Sequence, residues 1–359
     1  MRPIAFYAPL KTPNHPNPSG DRQIARNIMS ALAEAFEAPI ELASELRSFD
    51  RKGSEDAQTA LIQAAQDECA RVLDKMPDAA LWVTYHNYYK APDLIGPVVS
   101  KSLGIPYVQI EASRAKSRLT GPWARFAQAA HTASDTADAI FHVTQEDLIA
   151  LKRDRFGDQR IVELPPFLDR DTVPDPAPCV GPMLAVGMMR HGDKLASYRL
   201  IAETLDQLQT PDWALQIAGD GEAREEVETL FQPFGHRVSF LGALTERELV
   251  QAYASSSLLF WPGVNEAFGM VYLEAQAVGL PVLAQNRPGV RDVVAPGSLE
   301  DVEAGPRGLA RRLDGLLADA GLRAELGQAA QRYVVSKHLR PAAVRILQHT
   351  LGPLMKDKT

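Results

Sequence analysis

The chain has 359 residues, 45% of them hydrophobic and 23% charged, with a net charge of −7. That balance suits a globular protein with two buried cores, not a disordered or fibrous chain, and its acidity argues against a nucleic-acid partner, whose phosphates need a basic face. No run of about 18 apolar residues marks a membrane span, the apolar stretch Met1 to Tyr7 is too short for a secretory signal, and Cys69 and Cys179 alone give neither a disulfide framework nor a cysteine metal site; a cytoplasmic protein is expected.

In chain order, Pro3 to Pro9, Ala80 to Tyr85, Pro106 to Ile110 and Ala139 to Val143 read as strands. Arg22 to Phe36, Asp56 to Leu73, Asp93 to Leu103 and Trp123 to Ala133 carry helical periodicity between them. Such alternation predicts a parallel sheet covered on both faces. The proline-rich stretch from Leu164 through Pro182 sustains neither a helix nor a central strand and reads as an interdomain linker. Strands resume at Met183 to Gly187, Trp213 to Ala218, Arg237 to Leu241, Leu258 to Trp261 and Pro281 to Ala284. Val227, Leu230, Phe231 and Phe234 fall at helical spacing and read as core. The expected organisation is an α/β protein of two Rossmann-like, doubly wound domains facing a cleft: residues 1–168, residues 169–338, and a helix within 339–359 that either caps the second domain or crosses back to the first.

The stretch Glu266-Ala267-Phe268-Gly269-Met270-Val271-Tyr272-Leu273-Glu274 lies between two apolar strands. A glycine opening a helix after a strand and loop leaves the N–H groups near Gly269, Met270 and Val271 free to meet an anion such as a diphosphate. Glu274 falls just over one turn into that helix and Glu266 in the loop before it, so both carboxylates can accept from the hydroxyls of one ligand. Arg190 and Lys194, after the strand that ends at Gly187, are placed to supply compensating positive charge.

The Glu266 to Glu274 spacing with Phe268-Gly269, the Arg190 and Lys194 pair, Gly219-Asp220-Gly221 and Phe240-Leu241-Gly242 together resemble glycosyltransferase family 4, nearly continuously from Met183 to Val294. The resemblance implies the GT-B fold and a retaining, metal-independent hexosyl transfer from a nucleotide sugar, with a UDP-sugar favoured and no separate cofactor. It further implies that Glu274 binds the ribose hydroxyls, that Glu266 and the Phe268-Gly269-Met270 backbone contact the sugar, and that Arg190 and Lys194 hold the diphosphate. For Asp220, ligand contact and plain turn chemistry both remain open.

In the N-terminal half, Asn17-Pro18-Ser19-Gly20-Asp21 follows the first strand and opens a helix. The resemblance implies that this loop brings backbone to the donor phosphate and acceptor, where Gly20 would permit close approach, with Ser19 a helix cap in the alternative. His86 follows a strand at an end of the sheet where ligands collect. Many family members carry a histidine after the strand equivalent to Pro106 to Ile110, whereas this chain reads Gln109-Ile110-Glu111-Ala112-Ser113. Either His86 or Glu111 fills that space, or the leaving phosphate of the donor accepts the acceptor proton and no side-chain base is needed.

Between Ala112 and Ser134 the chain carries Arg114, Lys116, Arg118 and Arg125 with no acid, and Trp123 and Phe126 fall in the same segment. This segment is a candidate for contact with a lipid or glycan acceptor of the cell envelope, or with an anionic membrane surface at the inner face; a solvated helix with its aromatics in the core is the alternative. A sugar-nucleotide epimerase, a phosphorylase and a catalytically silent partner subunit are the rival functions.

Overall fold

The computed structural model describes residues 2–16 and 20–356, and the chain divides into two compact units, residues 1–169 with 340–359, and residues 170–339. The first unit runs β1 (Ile4–Tyr7), α1 (Gly20–Phe36), β2 (Ile40–Ser44), α2 (Glu55–Lys75), β3 (Leu81–Asn87), α3 (Gly96–Leu103), β4 (Tyr107–Ala112), α4 (Ala124–Thr136), β5 (Ala139–His142), α5 (Gln145–Arg153) and β6 (Arg160–Glu163). All its strand pairs are parallel, in the order β2-β1-β3-β4-β5-β6. Alternate residues of the same strands feed the two cores, as the period of two demands. Phe6, Val83, Val108, Ile110 and Phe141 pack under α1, and Tyr7, Trp82, Tyr107 and Ile140 face the opposite core.

Local chemistry sets the helix boundaries. The Ser54 hydroxyl accepts from Ala57 N–H at 3.3 Å to start α2, with Glu55 and Asp56 in the first turn and Lys75 in the last, each at its favourable dipole end. Asp93 does not begin a helix; its buried carboxylate accepts from Ile95 and Gly96 N–H at 2.9 and 2.7 Å and so caps the first turn of α3. β2, β6 and α5 are additional to the elements read from sequence. Their patterns are weak: β6 has no buried residue and α5 buries only Leu151.

The second unit runs β7 (Met183–Val186), α6 (Asp193–Leu205), β8 (Leu215–Ala218), α7 (Arg224–Phe231), β9 (Val238–Gly242), α8 (Glu246–Ala254), β10 (Leu259–Phe260), α9 (Met270–Ala277), β11 (Val282–Gln285), α10 (Val290–Val293), β12 (Leu299–Glu300), α11 (Gly305–Ala318) and α12 (Ala320–Lys337). Its sheet, again with parallel pairs, has the order β12-β11-β10-β7-β8-β9. Val227, Phe231 and Phe234 are buried.

The last helix, α13 (Arg340–Lys356), packs on α1 in the first unit. Leu347 and Leu351 join the core under α1, Gln348 donates to Ala35 C=O at 2.9 Å, and Arg340 pairs with Glu34 at 2.8 Å and Asp169 at 3.0 Å. Among the described residues no helix is long and apolar enough to cross a membrane.

Candidate active site

In the second sheet the chain leaves β7 outward to β8 and β9, then returns to lay β10 on the other side of β7. Loops leaving β7 and β10 therefore part at the carboxyl edge, and in doubly wound sheets that reversal is where ligands bind. Three contacts tie the loop after β10 to the start of α6. Val264 N–H donates to Ser197 Oγ at 3.0 Å, Asn265 Nδ2 donates to Asp193 Oδ1 at 2.8 Å, and Lys194 pairs with Glu266. Asp193, Lys194 and Ser197 lie on adjacent turns of one helix, so α6 fixes three successive loop residues. Asn265 takes φ 50°, a left-handed conformation that asparagine tolerates better than most residues.

Trp261 organises this crevice. Its indole N–H donates to Glu266 Oε1 at 2.9 Å, Lys194 Nζ lies 5.2 Å from its ring centroid, and Tyr198 meets the ring edge-on at 5.1 Å. Gly187 is needed because a Cβ there would press into the indole. Glu266 thus has a charge partner and an indole donor while its side chain stays 13% exposed, which leaves one carboxylate edge for a ligand.

Gly269 precedes α9 without a side-chain cap, and Met270 and Val271 form a first turn that carries no acid, so its amide edge offers partial positive charge. Ala267 is held from below: Gly289, at φ 78°, passes so close that a Cβ would collide with the Ala267 carbonyl. Phe268 is buried and anchors the loop. Glu274 Oε2 accepts from the buried Tyr253 hydroxyl at 3.0 Å. Burial pushes the Glu274 carboxyl above the usual carboxylate range, with the Tyr253 hydrogen bond and the charge of Arg170 opposing.

Arg190 is exposed in the loop after β7, one turn before Lys194. Gly219 leaves β8 and donates to Gly242 C=O at 2.8 Å. Asp220 is exposed, accepts from Gly221 N–H at 2.8 Å and lies 3.4 Å from Arg224, contacts that belong to its own turn.

At the carboxyl edge of the first sheet a second group of side chains converges. Asp21 comes from the first turn of α1, His86 from β3, Glu111 from β4 and Asp147 from α5. His86 Nδ1 lies 3.5 Å from Asp21 Oδ1 and 3.7 Å from Glu111 Oε1. Strand β3 runs beyond Tyr85, so His86 sits within it, at φ 67°, and Glu111 on the neighbouring strand takes φ 60°. Two non-glycine residues in left-handed backbone on adjacent strands store strain of a kind that clusters at functional sites. Burial drives the Glu111 carboxyl up, against the attraction of His86. Burial works to lower the His86 imidazole, yet Glu111 and Asp21 outweigh it and its pKa is raised. Gly20 opens α1 with open space where a Cβ would lie, and Asn17 to Ser19 fall outside the described residues.

The basic segment behaves differently from an outward-facing cationic face. Arg114 is buried against Asp135 at 2.5 Å, which withdraws it from any membrane or acceptor contact. Lys116 pairs with Asp154 at 2.7 Å, so acids from other elements neutralise a segment that has none of its own. Phe126 is core. Arg118 and Lys90 lie over the rings of Tyr89 and Trp123 at 5.2 to 5.8 Å, and Arg125 donates to Thr59 Oγ1 at 2.7 Å.

Trp261, Tyr253, Asn265 and Asp147 are site members that the sequence reading did not single out. An indole at a strand end five residues before Glu266 was a usable signal for the first; nothing local marks the others.

Two doubly wound parallel units, with anion-directed amides and paired charge at the switch point of the second, define a GT-B protein. Residues 188–333, within the second unit, match the family model of glycosyl transferases group 1. The chain is similar to a sulfoquinovosyl transferase of Arabidopsis thaliana, with 32% identity over 42% of this chain and 30% of the relative. It also resembles a GDP-mannose-dependent alpha-mannosyltransferase of Mycolicibacterium smegmatis, with 34% identity over 47% of this chain and 42% of the relative. The matched stretch is thus less than half of either relative. The fold matches a sucrose-phosphate synthase from Thermosynechococcus elongatus with a TM-score of 0.74 at 18% identity, over 99% of this chain and all of the other.

Proposed function

We propose that the chain is a retaining glycosyltransferase that moves a hexose-type sugar from a nucleoside-diphosphate donor, preferably a UDP-sugar, to a lipid or glycan acceptor of the cell envelope. The observation that carries this reading is Glu266 held between Lys194 and the Trp261 indole beside the uncapped start of α9. A diphosphate on the Met270 and Val271 amides meets positive helix-end charge, with Arg190 and Lys194 adding cations, so no metal is required. Glu274 in its ionised form accepts from the ribose hydroxyls, and Glu266 from the sugar. Transfer proceeds on the front face: the acceptor oxygen forms the new bond to the anomeric carbon as the bond to the diphosphate breaks, and a donor phosphate oxygen takes the acceptor proton.

A panel of nucleotide sugars scored by thermal shift and by slow hydrolysis tests the reading. At a donor concentration a hundredfold above Kd, mass action adds about 2.7 kcal/mol to stability. A positive UDP-sugar response supports the preferred donor; a response to GDP-mannose alone replaces the base, as the name of the mycobacterial relative suggests. Stabilisation with no hydrolysis and no transfer would point to the silent-subunit alternative.

Peripheral contact with an anionic membrane remains part of the proposal, through Arg118, Trp123 and Arg125 and without Arg114. The chain is expected to sediment with anionic vesicles at low salt and to release at high salt; equal absence from anionic and neutral pellets would remove this element.

A further inference from the structure

The two acids of the second-unit crevice are held in different ways. Glu266 has a cation, Lys194, and the Trp261 indole as donors. Glu274 forms no ion pair among the described residues, and the hydrogen bond it does form is the 3.0 Å bond that Oε2 accepts from the hydroxyl of Tyr253, on the last turn of α8. Tyr253 is 1% exposed, so its single hydroxyl proton is committed to Glu274 away from solvent. A carboxylate accepts on both oxygens, and a bond to Oε2 leaves Oε1 for a ligand. The other charged groups that act on Glu274 are Arg170, from the segment entering this unit, and the exposed Glu246 at the start of α8. Burial raises the Glu274 pKa, and of the effects that oppose it the Tyr253 bond is the largest, ahead of the Arg170 charge.

We propose that Tyr253 is a positioning residue for the donor: its hydroxyl holds one oxygen of Glu274, fixing the side chain and keeping it ionised, so that the other oxygen accepts from the ribose hydroxyls. The proposal rests on the glycosyltransferase reading and adds to it a residue acting through Glu274 and a pH dependence of donor binding. A protonated Glu274 has a proton to place and fewer acceptor positions, so it binds two vicinal hydroxyls less well. Donor affinity therefore falls as pH drops through the Glu274 value. Without the Tyr253 hydroxyl the buried carboxyl holds its proton more tightly, and the fall begins at higher pH. A purely structural role for Tyr253 would instead weaken binding by the same factor at every pH.

Calorimetric titration of the full chain with UDP-glucose, or with GDP-mannose where only that donor stabilises it, at a series of pH values from about 5 to about 8 tests the proposal. The diphosphate of either probe does not titrate in that range. The midpoint of the affinity loss is expected about one pH unit higher in Tyr253→Phe than in the unsubstituted chain, the size that one hydrogen bond to a charged group implies. Below both midpoints Kd should be about tenfold higher in the variant, with a smaller loss above them. Equal midpoints in the two proteins overturn the proposal, and so does binding by the unsubstituted chain that does not weaken toward acid pH. If Tyr253→Phe fails to fold, fluorotyrosine at the same position, a stronger donor of nearly the same shape, should move the midpoint to lower pH, and an unmoved midpoint overturns the proposal. Absence of donor binding by the unsubstituted chain at every pH instead removes the glycosyltransferase reading, and this proposal with it.

Discussion

The crevice of the second unit and the carboxyl edge of the first are built on opposite plans. Around Trp261 the groups are matched: Lys194 faces Glu266, Asp193 faces Asn265, and Ser197 receives Val264. Around His86 the charges are mismatched, with Asp21, Glu111 and Asp147 near one imidazole and two residues in left-handed backbone. A matched site is rigid before its ligand arrives and suits recognition of one fixed chemical group, such as a diphosphate. A mismatched one keeps buried like charges close together, so its protonation is coupled to stability.

The largest expected effect comes from breaking the rigid side through its backbone. Gly289→Ala places a Cβ against the Ala267 carbonyl at a left-handed φ, and should lower stability by about 2–4 kcal/mol in denaturant melts while abolishing donor stabilisation. A melt unchanged within error would mean that this loop is not braced from below.

Lys194→Met is a smaller perturbation. It leaves Glu266 with the Trp261 hydrogen bond but no cation, and because Lys194 is about one-third exposed the expected loss is about 1–3 kcal/mol, below that of a fully buried pair. Donor affinity should fall with it. Retained affinity would show that Arg190 and the α9 amides suffice.

The smallest effect sharpens the mismatched side. His86, Glu111 and Asp147 all have raised pKa values, so the folded chain holds their protons more tightly than the unfolded chain does. For His86 the stabilising contribution is complete below about pH 6.5 and is lost as pH rises through the folded value. Asp21, lowered by its hydrogen bond and attraction to His86 against burial, works in the other direction, at acid pH. The stability advantage of the unsubstituted chain over His86→Asn should therefore shrink on going from about pH 6 to above neutrality. An advantage that grows over that range would mean that the imidazole is held neutral.

How far the sequence revealed these two sites follows from the same contrast. The crevice of the second unit is local in the chain: Glu266 to Glu274 is one loop and helix start, and Gly187, Arg190 and Lys194 are a second, so spacing alone marked both. That Lys194 is engaged by Glu266, and that Asp220 is occupied with its own turn, depends on side-chain contacts that spacing does not encode. The first-unit group draws Asp21, His86, Glu111 and Asp147 from four crossings of a sheet, and only the strand order brings them together. His86 and Glu111 were visible as rival candidates; their pairing was not. Arg114 shows the converse error, since a run of cations says nothing of Asp135 and Asp154, which neutralise it.

The central claim is that the second unit binds a nucleotide sugar through Glu274 and its surroundings, and donor-dependent thermal shift of three proteins tests it most directly. Glu274→Ala should lose the shift that the unsubstituted chain shows at saturating donor, and Glu111→Ala should keep it. A Glu274→Ala protein stabilised by donor as well as the unsubstituted chain would contradict the account.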